Sequence, residues 1–317
     1  VQVLTGPSSD FTPSVVALGV FDGVHRGHQV VIRRAVERAR ALGVPAVVVT
    51  FEPHPLRILA PDRAPGLLQD LDQRLEVMAA LGVDAVRVVS FDAARAAQEA
   101  RDFYDEILIG ELGARAIVCG ANFHFGRDRG GDPSRLREWS ADGGPAIEIS
   151  DLAGSRHTWS SSLVRRLVAD GDMGGARDVL GRPFSFRGEV SHGDARGGAE
   201  LGWPTANVAL NPLRVLPPLG VYAAATRRVG ETWRPAAVSF GVRPQFYETG
   251  ERLLEAHILD FSGDIYGEIL DVALLEYLRP EAKFESVDAL VAQIAADVEK
   301  IREMYSAIAP QAGELLG

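Results

Sequence analysis

The hydrophobic positions of this chain change their spacing near its middle. Over the first half, short unbroken apolar runs recur at residues 15–20, 46–50, 85–89, 116–119 and 146–149. Runs of that length, rich in Val, Ile and Ala, predict strands buried on both faces, as in a parallel sheet. Between them the apolar positions take a helical period. Ile32, Val36 and Ala39 mark one face of a helix over 29–42, with Gly43 as its stop. Residues 72–81 and 94–112 read as further helices. This alternation predicts an α/β domain with helices on both faces of a parallel sheet. Ligands of such sheets bind beyond the carboxyl ends of the strands.

Near residues 181–183 the texture changes. The runs at 184–190, 221–227, 253–261 and 269–277 are alternating and divided by Gly and Pro. They predict antiparallel strands closing into a small barrel. A last amphipathic helix is predicted over 287–304, with Val291, Ile294, Val298 and Ile301 at helical spacing. The expected division is therefore 1–182 and 183–317, and 317 residues suit two domains.

Charge narrows the chemistry. The net charge of −10 argues against a nucleic-acid partner, which selects a basic face. Residues 1–182 hold 21 arginines against 24 carboxylates, a net of −3, and the remainder carries −7. No apolar run is long enough to span a membrane and no signal peptide is visible, so no membrane partner and a cytoplasmic location are expected. The single cysteine, Cys119, lies in an apolar run and should be buried, with no intrachain disulfide. The two lysines, Lys283 and Lys300, do not follow a glycine-rich loop, which excludes a Walker P-loop and a protein-kinase strand lysine. Phosphate chemistry here must use Arg, His, backbone N–H groups and a metal.

The most informative stretch is 17–28, Ala-Leu-Gly-Val-Phe-Asp-Gly-Val-His-Arg-Gly-His. It ends a strand and opens a helix. Helix N-terminal N–H groups favour an anion, and imidazoles add donors to phosphate oxygens. A zinc site at His25-x-x-His28 is the chemical rival, but no third ligand is evident nearby. Three further segments follow strands or open helices. Thr50-Phe51-Glu52-Pro53-His54-Pro55 makes a stiff turn. In 120–126, Asn122 offers a donor and an acceptor to a base or ribose, and Phe123 and Phe125 suit either a pocket wall or core. In 159–165, serines cap a helix that carries Arg165 in its first turn, a good phosphate clamp.

The 17–28 stretch resembles the G-x-F-D-x-x-H-x-G-H signature of the nucleotidylyltransferase superfamily, whose fold is Rossmann-like. As a set, the four segments resemble the N-terminal module of the prokaryotic bifunctional riboflavin kinase/FAD synthetase family, which carries T-F-x-P-H-P, G-x-[DN]-F-x-F-G and I-S-S-[ST]-x-x-R in this order. The resemblance implies that His25 and His28 contact the ATP triphosphate and stabilise the transition state. It implies that Asn122, Ser161, Ser162 and Arg165 join them around ATP and FMN, and that Gly19, Phe21, Asp22 and Gly23 belong to the same nucleotide-binding turn. Trp159 stands where the family usually has Ile, a packing difference.

The second half carries a glycine-rich segment, 193–207, that includes Arg196, Gly197, Gly198, Gly202, Thr205 and Asn207. Gly197 and Gly198 suit a loop over phosphates. Thr205 and Asn207 are two apart and share a side of an extended strand, and their oxygens suit Mg²⁺. In 253–260, Glu255 interrupts an apolar strand, which costs free energy unless the carboxylate is partnered or faces solvent. These segments resemble the flavokinase patterns G-x-x-R-G-x-x-L-G-[FW]-P-T-A-N and E-x-[HF]-[IL]-x-D. The resemblance implies that Thr205 and Asn207 bind Mg²⁺ and phosphate, and that Glu255 is the base that deprotonates the ribityl hydroxyl. Gln245 replaces the Thr of G-x-x-P-T-F.

The implied activity is phosphorylation of riboflavin by ATP to FMN, then adenylylation of FMN to FAD with release of pyrophosphate. The implied ligands are ATP, riboflavin, FMN and FAD, with Mg²⁺; whether the protein forms a homo-oligomer is left open. Two alternatives stand beside it: a monofunctional FMN adenylyltransferase with a degenerate kinase half, and a non-enzymatic flavin-binding regulator.

Overall fold

A computed structural model describes residues 1–150, 159–191, 205–242 and 252–312. The chain divides into two compact units, 1–65 with 71–160, and 66–70 with 161–317.

The first unit is built on six parallel strands: β1 (Gln2–Leu4), β2 (Val15–Leu18), β3 (Ala46–Glu52), β4 (Ala85–Ser90), β5 (Ala116–Gly120) and β6 (Ala146–Ser150). Their order is β1-β4-β3-β2-β5-β6. Side chains alternate between two cores. Val16, Leu18, Val47, Val49, Ile117 and Cys119 enter one, while Val15, Ala17, Ala46, Val48, Ala116 and Val118 enter the other. This two-residue period is what makes the runs apolar throughout. Strand order reverses between β2 and β5, which opens a crevice at their carboxyl ends.

Helix α1 (Arg26–Leu42) packs on the sheet through Val31, Ile32, Ala35 and Ala39. It starts three residues before the expected 29, because His25 caps it, so His28 lies in its first turn. Gly43 ends it at φ +65°. The short α2 (Leu56–Leu59) and α3 (Leu71–Ala80) follow. The single helix expected over 94–112 is instead α4 (Ala93–Ala96), α5 (Ala100–Phe103) and a π-helix over Tyr104–Glu111. The Gln98 carbonyl accepts from Arg127 N–H rather than continuing a helix, and Leu112 N–H reaches back five residues to Ile107 O. Helix α6 (Pro133–Ser140) starts at an Asp132 cap.

The second unit starts its long segment with α7 (Ser161–Ala169) and α8 (Met173–Leu180). These helices group with the barrel rather than with the residues before them, because α8 buries Met173, Ala176, Val179 and Leu180 and packs on two barrel strands. The barrel strands are β7 (Phe184–Ser191), β8 (Ala206–Val208), β9 (Gly220–Arg228), β10 (Arg234–Val242), β11 (Arg252–Ile258) and β12 (Ile269–Arg279), closed in the order β10-β11-β8-β7-β12-β9. Every described pairing is antiparallel. Helix α9 (Val287–Ala312) runs past the expected 304 and seats Ile301, Val298, Met304 and Tyr305 on Ala223, Leu259 and Leu275.

Residues 66–70 complete this unit. Leu67 forms a parallel bridge with Arg214, and Leu68 is fully buried. The Arg214 guanidinium donates to Asp70 Oδ2 at 2.7 Å and to the carbonyls of Leu68 and Ser185 at 2.8 and 2.6 Å. It lies over the Phe184 and Phe186 rings.

Candidate active sites

The histidine turn starts where β2 ends. Phe21, Gly23 and Val24 have φ of +53°, +82° and +35°, so the chain doubles back before α1. Gly19 makes room for this: a Cβ there would sit 2.8 Å from the Phe21 ring. The Phe21 ring in turn meets His28 edge-on, at 5.3 Å and 84°. His25 and His28 stack at 3.6 Å. His25 Nδ1 accepts the His28 backbone N–H at 3.3 Å. Neutral His25 therefore carries its proton on Nε2. Asp22 and His25 are buried and His28 is half-buried, at the N-terminus of a 17-residue helix. The turn thus gathers Gly19, Phe21, Asp22, Gly23, His25 and His28 into one locus with two imidazoles and a helix N-terminus, a setting for anionic oxygens.

Beside it, at the carboxyl ends of the strands, lies a pocket of about 250 Å³. Val20, Phe51, Phe91, Phe103, Phe123 and Phe125 line it, with Arg95 and Gln98 among its polar groups. The rings brace one another: Phe103 and Phe125 at 5.5 Å, Phe123 and Phe125 stacked at 5.8 Å. Phe125 is buried and also contributes to the core, so the two readings of these phenylalanines meet in one wall. Phe51, Phe91 and Phe103 carried no site assignment from the sequence; only Phe51 falls inside a recognisable motif. Arg95 is held by Gln98 Oε1 at 2.5 Å and Glu106 Oε2 at 3.2 Å. The Arg95 hydrogen bond holds the Glu106 carboxyl below its usual range, against partial burial. Asn122 is exposed just after β5.

Ser161, Ser162 and Arg165 open α7 in the second unit. Arg165 lies one turn in rather than in the first turn. Its Nε donates to the Gly66 carbonyl at 2.7 Å.

In the barrel, register does what spacing alone does not. Glu255 on β11 stands directly opposite Asn207 of β8 and Ser239 of β10. Directly opposed residues share a face, with Cβ atoms about 4.5–5.5 Å apart. Leu254, Ala256 and Ile258 are buried on the other face of the strand, while Glu255 and His257 are half-buried. Ser239 opens the segment that carries Gln245 but drew no site assignment, because β10 itself was not foreseen. Thr205 is exposed and lines a pocket of about 150 Å³ with Ala206, Ile258, Phe261 and Tyr266. Asp260 ends the same motif and is held below the usual carboxylate range by its hydrogen bond to Arg302 of α9. Arg196, Gly197, Gly202 and Gln245 lie outside the described residues.

Comparison with known proteins agrees with this layout. The FAD synthetase family model matches residues 8–163 and the riboflavin kinase model residues 180–305. The bifunctional riboflavin kinase/FMN adenylyltransferase of Pseudomonas fluorescens is 40% identical over 92% of each chain. That of Escherichia coli (strain K12) is 38% identical over 93% of this chain and 94% of its own. A crystal structure titled a macrolide-efflux protein from Streptococcus pneumoniae superposes with a TM-score of 0.83 at 30% identity, covering 95% of this chain and 98% of its own. With an FAD synthetase half, a riboflavin kinase half and relatives matched along nearly their whole length, the chain belongs to the family of bifunctional riboflavin kinase/FMN adenylyltransferases.

Proposed function

We propose that adenylyl transfer uses residues 1–182 and phosphoryl transfer residues 183–317, with the roles that follow. The stacked histidine pair at the start of α1 carries the first assignment. An FMN phosphate oxygen attacks the α-phosphorus of ATP, and the bond to pyrophosphate breaks. Negative charge grows on the α-phosphoryl and leaving oxygens, where the His25 and His28 rings and the helix N–H groups stabilise it. Gly19, Phe21, Asp22 and Gly23 shape the turn around the nucleotide. Asn122 serves ribose or base, and Ser161, Ser162 and Arg165 serve phosphate. The aromatic pocket takes the flat isoalloxazine ring, for which stacked, apolar walls are suited.

In the kinase half, Glu255 accepts the proton of the terminal ribityl hydroxyl. That oxygen attacks the γ-phosphorus and ADP leaves. The opposed pair of Glu255 and Asn207 supports this role. The Thr205 hydroxyl and Asn207 amide oxygen are the hard donors that Mg²⁺ prefers. Among the described residues no cluster of three His, Cys, Asp or Glu exists that would hold a metal, so these two oxygens and the nucleotide phosphates would share it. When bound there, Mg²⁺ neutralises phosphate charge. Arg196, Gly197 and Gly202 belong to the phosphate loop of the same proposal. A cytoplasmic location belongs to it too, in keeping with one cysteine in 317 residues.

Two variants assayed on both substrates test the assignment. His28→Ala should slow FAD formation from FMN by about 10²–10³-fold and leave FMN formation intact. Glu255→Gln should slow FMN formation by about 10²–10⁴-fold and leave adenylylation of supplied FMN intact. Chromatographic resolution of riboflavin, FMN and FAD reads both rates. A parent-like rate in the targeted step removes that residue from the mechanism.

A further inference from the structure

We propose that Arg74 of α3 is a positioning residue for adenylyl transfer, acting on the histidine turn from beneath. The inference rests on the reading of His25 and His28 as the adenylyl-transfer pair. Arg74 is only 5% exposed and its Nε finds no partner among the described residues, so the free-energy cost of burying the guanidinium falls on its two Nη groups to offset. Its Nη1 donates to the Val20 carbonyl at 3.2 Å and to Thr50 Oγ1 at 3.4 Å. Its Nη2 donates to the Glu52 carboxylate. The buried Thr50 hydroxyl donates to the same Val20 carbonyl at 2.8 Å.

All three partners sit at the carboxyl ends of β2 and β3, where the crevice opens. None of these bonds is needed to pair the strands, whose registers are complete without them. The Val20 carbonyl is the first group of the peptide that enters Phe21. Fixing that carbonyl fixes the plane from which Phe21 takes its φ of +53°, a conformation that L residues rarely adopt. Phe21 then sets its ring edge-on against His28. Arg74 therefore reaches the reacting centre through one peptide and one ring, and touches neither imidazole in the bonds described. A forked guanidinium spans two strand ends at once, whereas an ammonium is a point donor.

The experiment compares Arg74→Met, Arg74→Lys and His28→Ala in the full chain, with FAD formation from FMN and FMN formation from riboflavin measured on each preparation. Arg74→Met should lower the adenylylation kcat by about 10–100-fold, the scale of a small misplacement of catalytic groups, with KM for ATP little changed. Arg74→Lys should fall between it and the parent. The kinase rate on the same preparation should stay at the parent value, which separates misplacement from unfolding. In ¹⁵N-resolved imidazole spectra of Arg74→Lys, His25 and His28 should shift while His257 in the barrel does not.

A parent-like kcat in Arg74→Met, or a rise in KM alone, overturns the proposal. If Arg74→Met fails to fold, Arg74→Lys decides: parent-like kcat and unmoved His25 and His28 signals overturn it, and a lowered kcat with shifted signals supports it. Undiminished FAD formation by His28→Ala overturns the histidine reading itself, and with it this inference. Inactive His28→Ala beside fully active Arg74→Met overturns the inference alone.

Discussion

At the scale of single residues, the histidine turn is a chain of steric dependencies. Gly19 leaves room for the Phe21 ring, and the ring braces His28. Gly19→Ala tests this. The added Cβ, 2.8 Å from the ring's Cζ, must displace it. FAD formation should drop by about tenfold or more while FMN formation holds, since misplaced catalytic groups cost rate steeply. Equal rates in parent and variant would show that the ring shifts without consequence. The strand-to-helix turn that holds the histidines was legible in the sequence because its glycines act locally. Cys119 was legible as buried because its neighbours are apolar, and burial raises its thiol pKa to about 11. Ser239 and the Phe51, Phe91 and Phe103 walls were not legible. Their meaning depends on which strand ends lie side by side, and no local pattern carries that.

At the scale of elements, β1 is three mostly exposed residues at the sheet edge and carries no unbroken apolar run, while β2 to β6 were readable as short apolar runs. Strands β8 and β10 were not. The first is three residues long, and the second opens Arg-Pro and continues with small residues, so neither displays a clear alternation. The expected 94–112 helix failed for a different reason: its apolar residues keep a helical face, but backbone bonding breaks at Gln98. The barrel carries its own charged tie across three strands. Asp271 of β12 stands opposite Arg187 of β7 and Arg227 of β9. Its carboxylate accepts from Arg187 at 2.7 and 2.8 Å and from Arg227 at 3.0 Å, while being only 3% exposed. Removing the anion leaves two poorly hydrated cations side by side. Asp271→Ala should destabilise the barrel by about 3–5 kcal/mol. Chemical denaturation followed by kinase activity measures it, and a loss under 1 kcal/mol would mean that the arginines find water instead.

At the scale of the whole molecule, sequence position and packing disagree at one place. Asp70 precedes residue 182 by far, yet it packs with the barrel through Arg214, whose side chain is 1% exposed, and through Asn211 at 2.6 Å. Asp70→Ala should weaken the second unit by about 2–4 kcal/mol, as breaking a largely buried ion pair does. Hydrogen exchange should rise in β7 and at Leu67, and kinase activity should be lost at a lower temperature than adenylylation. Faster exchange confined to the parallel sheet would assign Asp70 to the other unit. The sequence pattern near 181–183 marks where antiparallel strands begin. It gives no sign of residues 66–70, because a five-residue insertion into another unit changes neither composition nor period.

That inserted segment also has a consequence in time. The backbone passes from one compact unit to the other at 65–66, at 70–71 and again at 160–161. Asp70 and its partner Arg214 are 144 residues apart, so a ribosome adding about 5–20 residues per second delivers the arginine roughly 7–30 s after the aspartate. Residues on both sides of 66–70 can condense into the parallel sheet during that interval, while Leu67, Leu68 and Asp70 wait for a surface that has not yet been synthesised. Birth of the nascent protein therefore leaves a piece of its early sequence to be claimed by residues 185–215, made well after the sheet around it.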